Sequence, residues 1–580
     1  MDFFENYDTI KLVVKMGVKN RRNKRKIKVS AILGFIIIIL VALFLFKGVN
    51  KIIIKNAYVS GNVTSFELYK MDKDILTKTN DIIYRGSFVK LYPDSKKENN
   101  ITYVKIKYND KEYFIDEKNI TMDKDKIVTE KEMYVRTSTT IYKNEKDVDI
   151  QGLVKKGEKV EILSYDKLDK KGVVNKYKIK YQDKEGYVYG KYLVTTSEES
   201  LKVYDNEGLQ EYLSNMGNTL GGGTATDLDY YPYEKGKFKN NVMPDEVRAF
   251  YINGAAIKEI DSYIELAKES NINAFVIDIC DDTSISYESP VMKTYSPTSY
   301  SHAINKYEDY KSYVKKVKDA GIFVIGRITA FKDSYYVEDH KDAAILSKGG
   351  EPFNHNGAFW PSVYNRGVWE YKVKLAIEGV KEIGFNEIQF DYVRFPDRTN
   401  RLEAAGSINF NNTYEEQKAQ ALQTFIMYAT DEIHNVGAYV SIDVFGESAS
   451  NYVTAYGQFW PAISNVADVI SGMPYPDHFN AHEYGISEVV WTVPYKLLNA
   501  WGSYVKKKQE ITPTPAKVRT WIQTYDTSKN PATTYDSNKV SEQITALYEN
   551  GLDDGYMTWN SGSNINKYRS LKDAFKKEYK

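Results

Sequence analysis

Two different spacings of hydrophobic and polar residues divide the chain. From Val247 onward, short runs rich in β-branched residues alternate with longer stretches whose apolar residues recur every three or four positions. The short runs, read as strands, are 248–252, 274–279, 323–328, 387–393, 438–445, 468–473, 518–522 and 555–559. The longer stretches include 371–383 and 415–435, read as helices. Eight strand–helix units in about 335 residues fit an α/β fold of the (β/α)8 TIM-barrel type over 246–580. A doubly wound open sheet is the rival, but no glycine-rich phosphate loop follows the first strand.

The first third follows a period of two. Lys105-Ile-Lys-Tyr-Asn-Asp-Lys-Glu recurs as Lys178-Ile-Lys-Tyr-Gln-Asp-Lys-Glu, each copy reading as strand, two-residue turn and strand. Further short runs at 133–138 and 152–163 precede the second copy. Residues 127–195 resemble a bacterial SH3 domain, a small all-β module, and 57–122 resemble it more weakly. The resemblance implies wall or polymer binding; a spacer role is the alternative. Residues 196–245, acidic at 197–200 and glycine-rich at 218–224, read as a linker.

The N-terminus changes the picture. Residues 29–46 carry no charge, a length that just spans a bilayer as a helix. The basic run 19–28 before it marks residues 1–28 as a cytoplasmic tail. Bulky residues after the apolar core disfavour signal cleavage, and no cysteine follows it to carry a lipid. The expectation is a single-pass signal anchor that engages the lipid bilayer through 29–46 and places the bulk of the chain outside the cell. With 79 Lys and Arg against 78 Asp and Glu, the chain lacks the basic excess that nucleic-acid binding needs. One cysteine, Cys280, excludes an internal disulfide framework, a Cys-based zinc finger and an iron–sulfur cluster.

Barrel chemistry occurs at the C-terminal ends of strands, so polar residues ending the runs are the candidates. Alternation along 387–393 puts Gln389 and Asp391 on one face, with Arg394 close enough to pair with Asp391 or hold a substrate hydroxyl. Asp443 and Glu447 share a parity but lie ~13 Å apart along an extended strand, so one of them would partner Asp391. Two opposed carboxyl groups are what glycoside cleavage needs. Asp278, Asp281 and Asp282 flank Cys280, and Tyr475 and His478 follow the sixth run. Every Trp and His falls in this region, and Trp521 and Trp559 at strand ends suit stacking on sugars. Acids at a barrel mouth can also bind a divalent cation.

The run 384–396, Gly-Phe-Asn-Glu-Ile-Gln-Phe-Asp-Tyr-Val-Arg-Phe-Pro, resembles the hallmark of the DUF4015 family of glycoside hydrolase domains. Segments 276–282, 326–333, 441–446, 473–478 and 519–523 support the resemblance in order, with departures at Cys280 and Asp477. It implies a (β/α)8 domain assigned to sugar hydrolysis by analogy with α-amylase-like barrels. Taken with the anchor, the expectation is an extracellular glycoside hydrolase acting on a cell-surface polysaccharide or peptidoglycan-associated glycan, without metal or cofactor. The resemblance favours Asp391 and Asp443 over Glu447, and the expected roles are Asp391 as nucleophile or charge stabiliser and Asp443, or else Glu447, as general acid/base. Asp278, Asp282, Arg327, Arg394, Tyr475, His478 and Gln523 would contact the sugar, and Trp521 and Trp559 would stack on it. Three alternatives stand beside it. One is a non-catalytic glycan-binding barrel. The second is a serine esterase using Ser448 in Gly446-Glu-Ser-Ala-Ser450. The third is a metal-dependent deacetylase using His478 and His482.

Overall fold

Nine parallel strands form the larger part of the molecule, in a computed structural model that describes residues 54–217 and 221–579. The barrel strands are β1 (Val247–Ile252), β2 (Ala274–Asp281), β3 (Phe323–Thr329), β4 (Glu387–Asp391) and β5 (Tyr439–Phe445). They continue as β6 (Val469–Met473), β7 (Lys517–Val518), β8 (Thr520–Gln523) and β9 (Gly555–Trp559). Each of β1 to β6 pairs in parallel with the next, β6 pairs with β7, β8 with β9, and β9 with β1. Only Arg519 separates β7 from β8, so the sheet is a nearly closed barrel.

Alternation sorts the strand residues into two layers. Ala249, Tyr251, Val276, Ile325, Trp521 and Met557 fill the barrel interior. Phe250, Ile252, Phe275, Ile277, Val324 and Ile388 pack outward against the surrounding helices. The expected helix at 371–383 starts earlier, at Arg366, where the Asn365 side chain accepts from Val368 N. It runs as α1 (Arg366–Glu378) into one π-helical turn, Gly379–Ile383. The helix α2 (Lys418–Asn435) opens on a capping box of Gln417 and Gln420. Fifteen of its residues are buried, so it must be covered on both faces.

The described chain falls into two units. The first runs to Thr129 and includes Leu168–Val173; the second comprises Glu130–Lys167 and Val174–Lys580. Each unit contains a seven-stranded antiparallel sheet, and the neighbour order is the same in both: third, second, sixth, fifth, fourth, first, seventh. The repeated Lys-Ile-Lys-Tyr segment occupies the fifth and sixth strands of each. In the first copy, Asn109 and Asp110 both take left-handed φ, 47° and 60°, the conformation a tight two-residue hairpin requires. The first sheet has its own core, built on Val59, Leu68, Ile83, Val89 and Ile106.

In the second unit the sheet lies against α1 and α2. Tyr192 Oη donates to Asp431 Oδ2 at 2.7 Å and Tyr189 Oη to Glu432 Oε1 at 2.8 Å. Lys191 and Tyr233 also bond Asp431, and Tyr428 Oη donates to Val148 O at 2.6 Å. This sheet is the second cover that α2 needs.

Of the stretch 196–245, expected to be a linker, the described residues include several that are packed instead. Leu209, Leu213, Leu228 and Tyr230 are buried with Ala419, Val453 and Phe459. Lys235 Nζ donates to the carbonyls of Ser464 and Asn465 at the end of helix Trp460–Val466. Asn241 Nδ2 donates to Asn386 O and Gly437 O at 2.7 and 2.9 Å. Phe238 and Met243 pack against the barrel interior. The polar composition that suggested a linker concealed these anchors.

The cytoplasmic tail and membrane span expected at 1–28 and 29–46 lie outside the described residues. Among the described residues, no helix is long and apolar enough to cross a membrane.

Candidate active site

At the C-terminal ends of the strands the barrel opens into a cleft of about 130 Å³. Two acids line it, Asp281 and Asp391, with the guanidinium groups of Arg327 and Arg394. Tyr392, Phe445, Tyr475, Trp521 and Trp559 supply ring surface, and Met473 and His478 complete the wall. Tyr475 stacks on Trp559 at 25° with centroids 6.3 Å apart, while Trp521 meets the same ring edge-on at 5.6 Å. Such surface binds the apolar faces of a flat ligand without demanding hydrogen bonds from it.

Arg327 organises the polar centre. It rises from β3 and is 1% exposed. Its Nη2 donates to Asp391 Oδ2 at 2.6 Å and its Nη1 to Asp278 Oδ1 at 2.8 Å. Asp281 Oδ2 lies 3.8 Å from Nη1, and Asp443 Oδ2 lies 4.0 Å from Nε. One buried cation therefore faces four carboxyl groups. Burial works against the charge on Arg327, but the surrounding carboxylates hold its pKa well above the ordinary value. Burial also pushes Asp278 up to about 6, although Arg327 pulls the other way. Tyr251 donates to the second oxygen of Asp278.

Asp391 stands where alternation along its strand put it, on the inner face and open to the cleft with 6% exposure. Its Oδ1 accepts from Tyr392 N at 2.6 Å. Arg394 is not its partner. The strand ends at Asp391, and Tyr392 takes a left-handed φ of 53°, strained for an aromatic residue. The chain therefore leaves the strand two residues before the expected end. Arg394 lies over Phe445 at 4.3 Å and Tyr392 at 5.0 Å, and its Nη1 reaches Asp397 at 3.3 Å.

Other expected site residues separate from the cleft. Asp443 lies behind it, 0% exposed, accepting the Trp521 indole N–H at 2.8 Å. Glu447 is exposed on the turn Gly446–Ala449 and accepts from Tyr452 Oη at 2.8 Å and Tyr456 Oη at 2.9 Å. Gln523 is buried, its side chain held by Asp477 N and Tyr525 O, both at 3.2 Å. Asp282 accepts from Ser334 N at 2.9 Å, tying down the start of a helix. Trp521, Trp559, Tyr475, His478, Arg327 and Arg394 all border the cleft as expected residues.

Asp281, by contrast, faces the cleft with its side chain about one-third exposed, its Oδ1 accepting from Thr329 at 2.9 Å. Simple alternation from Asp278 points Cys280 inward instead. A register shift between Asp278 and Cys280 reverses the parity, so Cys280 packs among the outer-layer residues and Asp281 turns in. No residue pattern in 274–282 announces that bulge.

Two alternatives lose their geometry here. Ser448 Oγ is buried without a hydrogen-bond partner, so no histidine is set to activate it. His478 ends a 3-10 turn and His482 lies beyond it, so the pair does not share a helix face. Among the described residues no group of three His, Cys, Asp or Glu side chains is arranged to hold a metal ion.

No curated protein matches the chain. Similar solved structures include a hypothetical protein from Ruminiclostridium thermocellum. It is 31% identical over 34% of this chain and 97% of its own, with a TM-score of 0.29. The PgaB (BpsB) glycoside hydrolase domain from Bordetella bronchiseptica is 13% identical over 57% of this chain and 99% of its own, with a TM-score of 0.42. The spore cortex-lytic enzyme SleL of Bacillus cereus is 11% identical over 56% of this chain and 74% of its own, with a TM-score of 0.35. Residues 249–566, more than half of the chain, match the family model described as DUF4015, "Putative glycosyl hydrolase domain", and the chain belongs to that family.

Proposed function

We propose that the protein is a glycoside hydrolase of (β/α)8 TIM-barrel type acting on a cell-surface polysaccharide or wall glycan. The observation that carries this reading is Asp391, open to a ring-lined cleft and held by Arg327 at 2.6 Å. Its family supports the same chemistry. Asp391 serves as nucleophile or as stabiliser of the oxocarbenium-like transition state, with Arg327 and Tyr392 N fixing the orientation of its two oxygens. The second carboxyl group is Asp281, the other acid on the cleft wall, in place of Asp443 or Glu447. Trp521, Trp559 and Tyr475 receive the sugar faces, and Arg394 and His478 orient hydroxyl groups at the rim.

The test is release of reducing ends from bacterial wall and exopolysaccharide preparations by the full chain. Asp391→Asn should lower kcat by about 10³-fold, within the range for loss of a catalytic carboxylate. Unchanged turnover would remove Asp391 from the chemistry. Glycan binding without turnover in the wild type would instead favour a receptor. The anchor at 29–46 and the outward placement of the chain belong to this proposal. Resistance of the protein to alkaline extraction from membranes, together with its digestion by protease added to intact cells, checks both. The segments 57–122 and 127–195, SH3-like by sequence, would add binding to the same polymer.

A further inference from the structure

Asp443 is the candidate of the sequence that the cleft leaves unused. It is 0% exposed and lies deepest of the four acids around Arg327. Trp521 Nε1 donates to Oδ1 at 2.8 Å, while Oδ2 has no hydrogen-bond partner and stands 4.0 Å from Arg327 Nε. The groups facing it come from every neighbouring strand. Arg327 comes from β3, Asp391 and Glu387 from β4, Ser471 in register on β6, Tyr475 just beyond β6, and Trp521 from β8. Glu387 is itself committed to Arg519 at 2.7 Å.

An ionised carboxylate needs several donors when water is excluded, and Asp443 has one. Arg327 already meets Asp391 and Asp278 at hydrogen-bond distance, so little of its charge remains for a fourth acid at 4.0 Å. The like charge of the neighbouring Asp391 further disfavours ionisation of Asp443. We propose that Asp443 is a proton-bearing positioning residue, whose neutral carboxyl anchors the Trp521 ring at the cleft wall and leaves the Arg327 guanidinium to Asp278, Asp281 and Asp391. Burial and the neighbouring Asp391 both push Asp443 in that direction, against Arg327 and Trp521. The inference deepens the hydrolase reading, on which its catalytic consequence rests, but its tests need no substrate and so stand or fall separately from that reading.

Infrared difference spectra of the full chain at neutral pH provide the first test. Asp443→Asn should remove a protonated-carboxyl C=O band; loss of an ionised-carboxylate band instead overturns the proposal. Trp521→Phe keeps the acid but removes its hydrogen-bond donor, and should shift the same band; an unmoved band overturns the anchoring role even if Asp443→Asn fails to fold. Thermal melts give an independent sign. An acid whose folded pKa is raised stabilises less as pH climbs above its unfolded value of ~3.9. Asp443→Asn lacks that loss, so its Tm should gain on the wild type by about 1–3 °C per pH unit from pH 4 toward 7. A relative Tm that falls over that window means Asp443 is ionised in the folded chain, and the proposal is wrong.

Discussion

Arg327 shows how much of a site can rest on one side chain. It pairs with acids from β2 and β4 at hydrogen-bond distance, and removing it strands them in a water-poor interior. Arg327→Met should destabilise the protein by about 3–5 kcal/mol, read as a lowered denaturant midpoint. Asp278 carries its own pH signature. With its folded pKa raised to about 6, its contribution to stability declines as pH rises from ~4 to 6. Asp278→Asn should therefore gain Tm relative to the wild type across that window, and a flat difference would show that Asp278 is not raised. At this scale the sequence was readable where alternation ran undisturbed, as at Asp391. It misled where the backbone broke step. The bulge beside Cys280 and the left-handed Tyr392 each redirect a charged neighbour, and both depend on what the next strand offers rather than on local composition.

The element scale explains why α2 is so weakly amphipathic: it is sandwiched between the barrel and the second antiparallel sheet. Asp431 is the polar pin of that sandwich, accepting from Lys191, Tyr192 and Tyr233. Asp431→Ala removes the shared acceptor of Tyr192, Tyr233 and Lys191 and should cost about 1–3 kcal/mol. Hydrogen exchange should then rise in strand Lys184–Tyr189; unchanged protection there would mean the sheet is held by its apolar contacts alone. The hairpin repeat was legible because a two-residue turn and period-two strands are local signals. That both sheets share one strand order could not be read from that repeat, which covers only two of seven strands.

For the whole molecule, the barrel does not begin where its first strand does. Tyr142, Val148, Ile150, Tyr189, Tyr192 and Tyr233 belong to the same buried cluster as the barrel's outer layer. A chain cut at residue 240 exposes that surface and loses the anchors of Lys235. It should melt at least several degrees below one that starts at Glu130, by scanning calorimetry. Equal melting temperatures would show the preceding segment to be dispensable. The strand positions along the chain and the inner-face placement of Asp391 were written in short-range periodicity, because a strand's two faces are set by alternation alone, whereas the split of the expected strand 518–522 into two, giving nine strands where eight were expected, was not. Which acid shares the cleft with Asp391, which arginine holds it, and how Phe238, Asn241 and Met243 pack against the barrel depend on contacts between residues tens to hundreds of positions apart. Burial makes those partnerships strong, and burial exists only once the chain has folded.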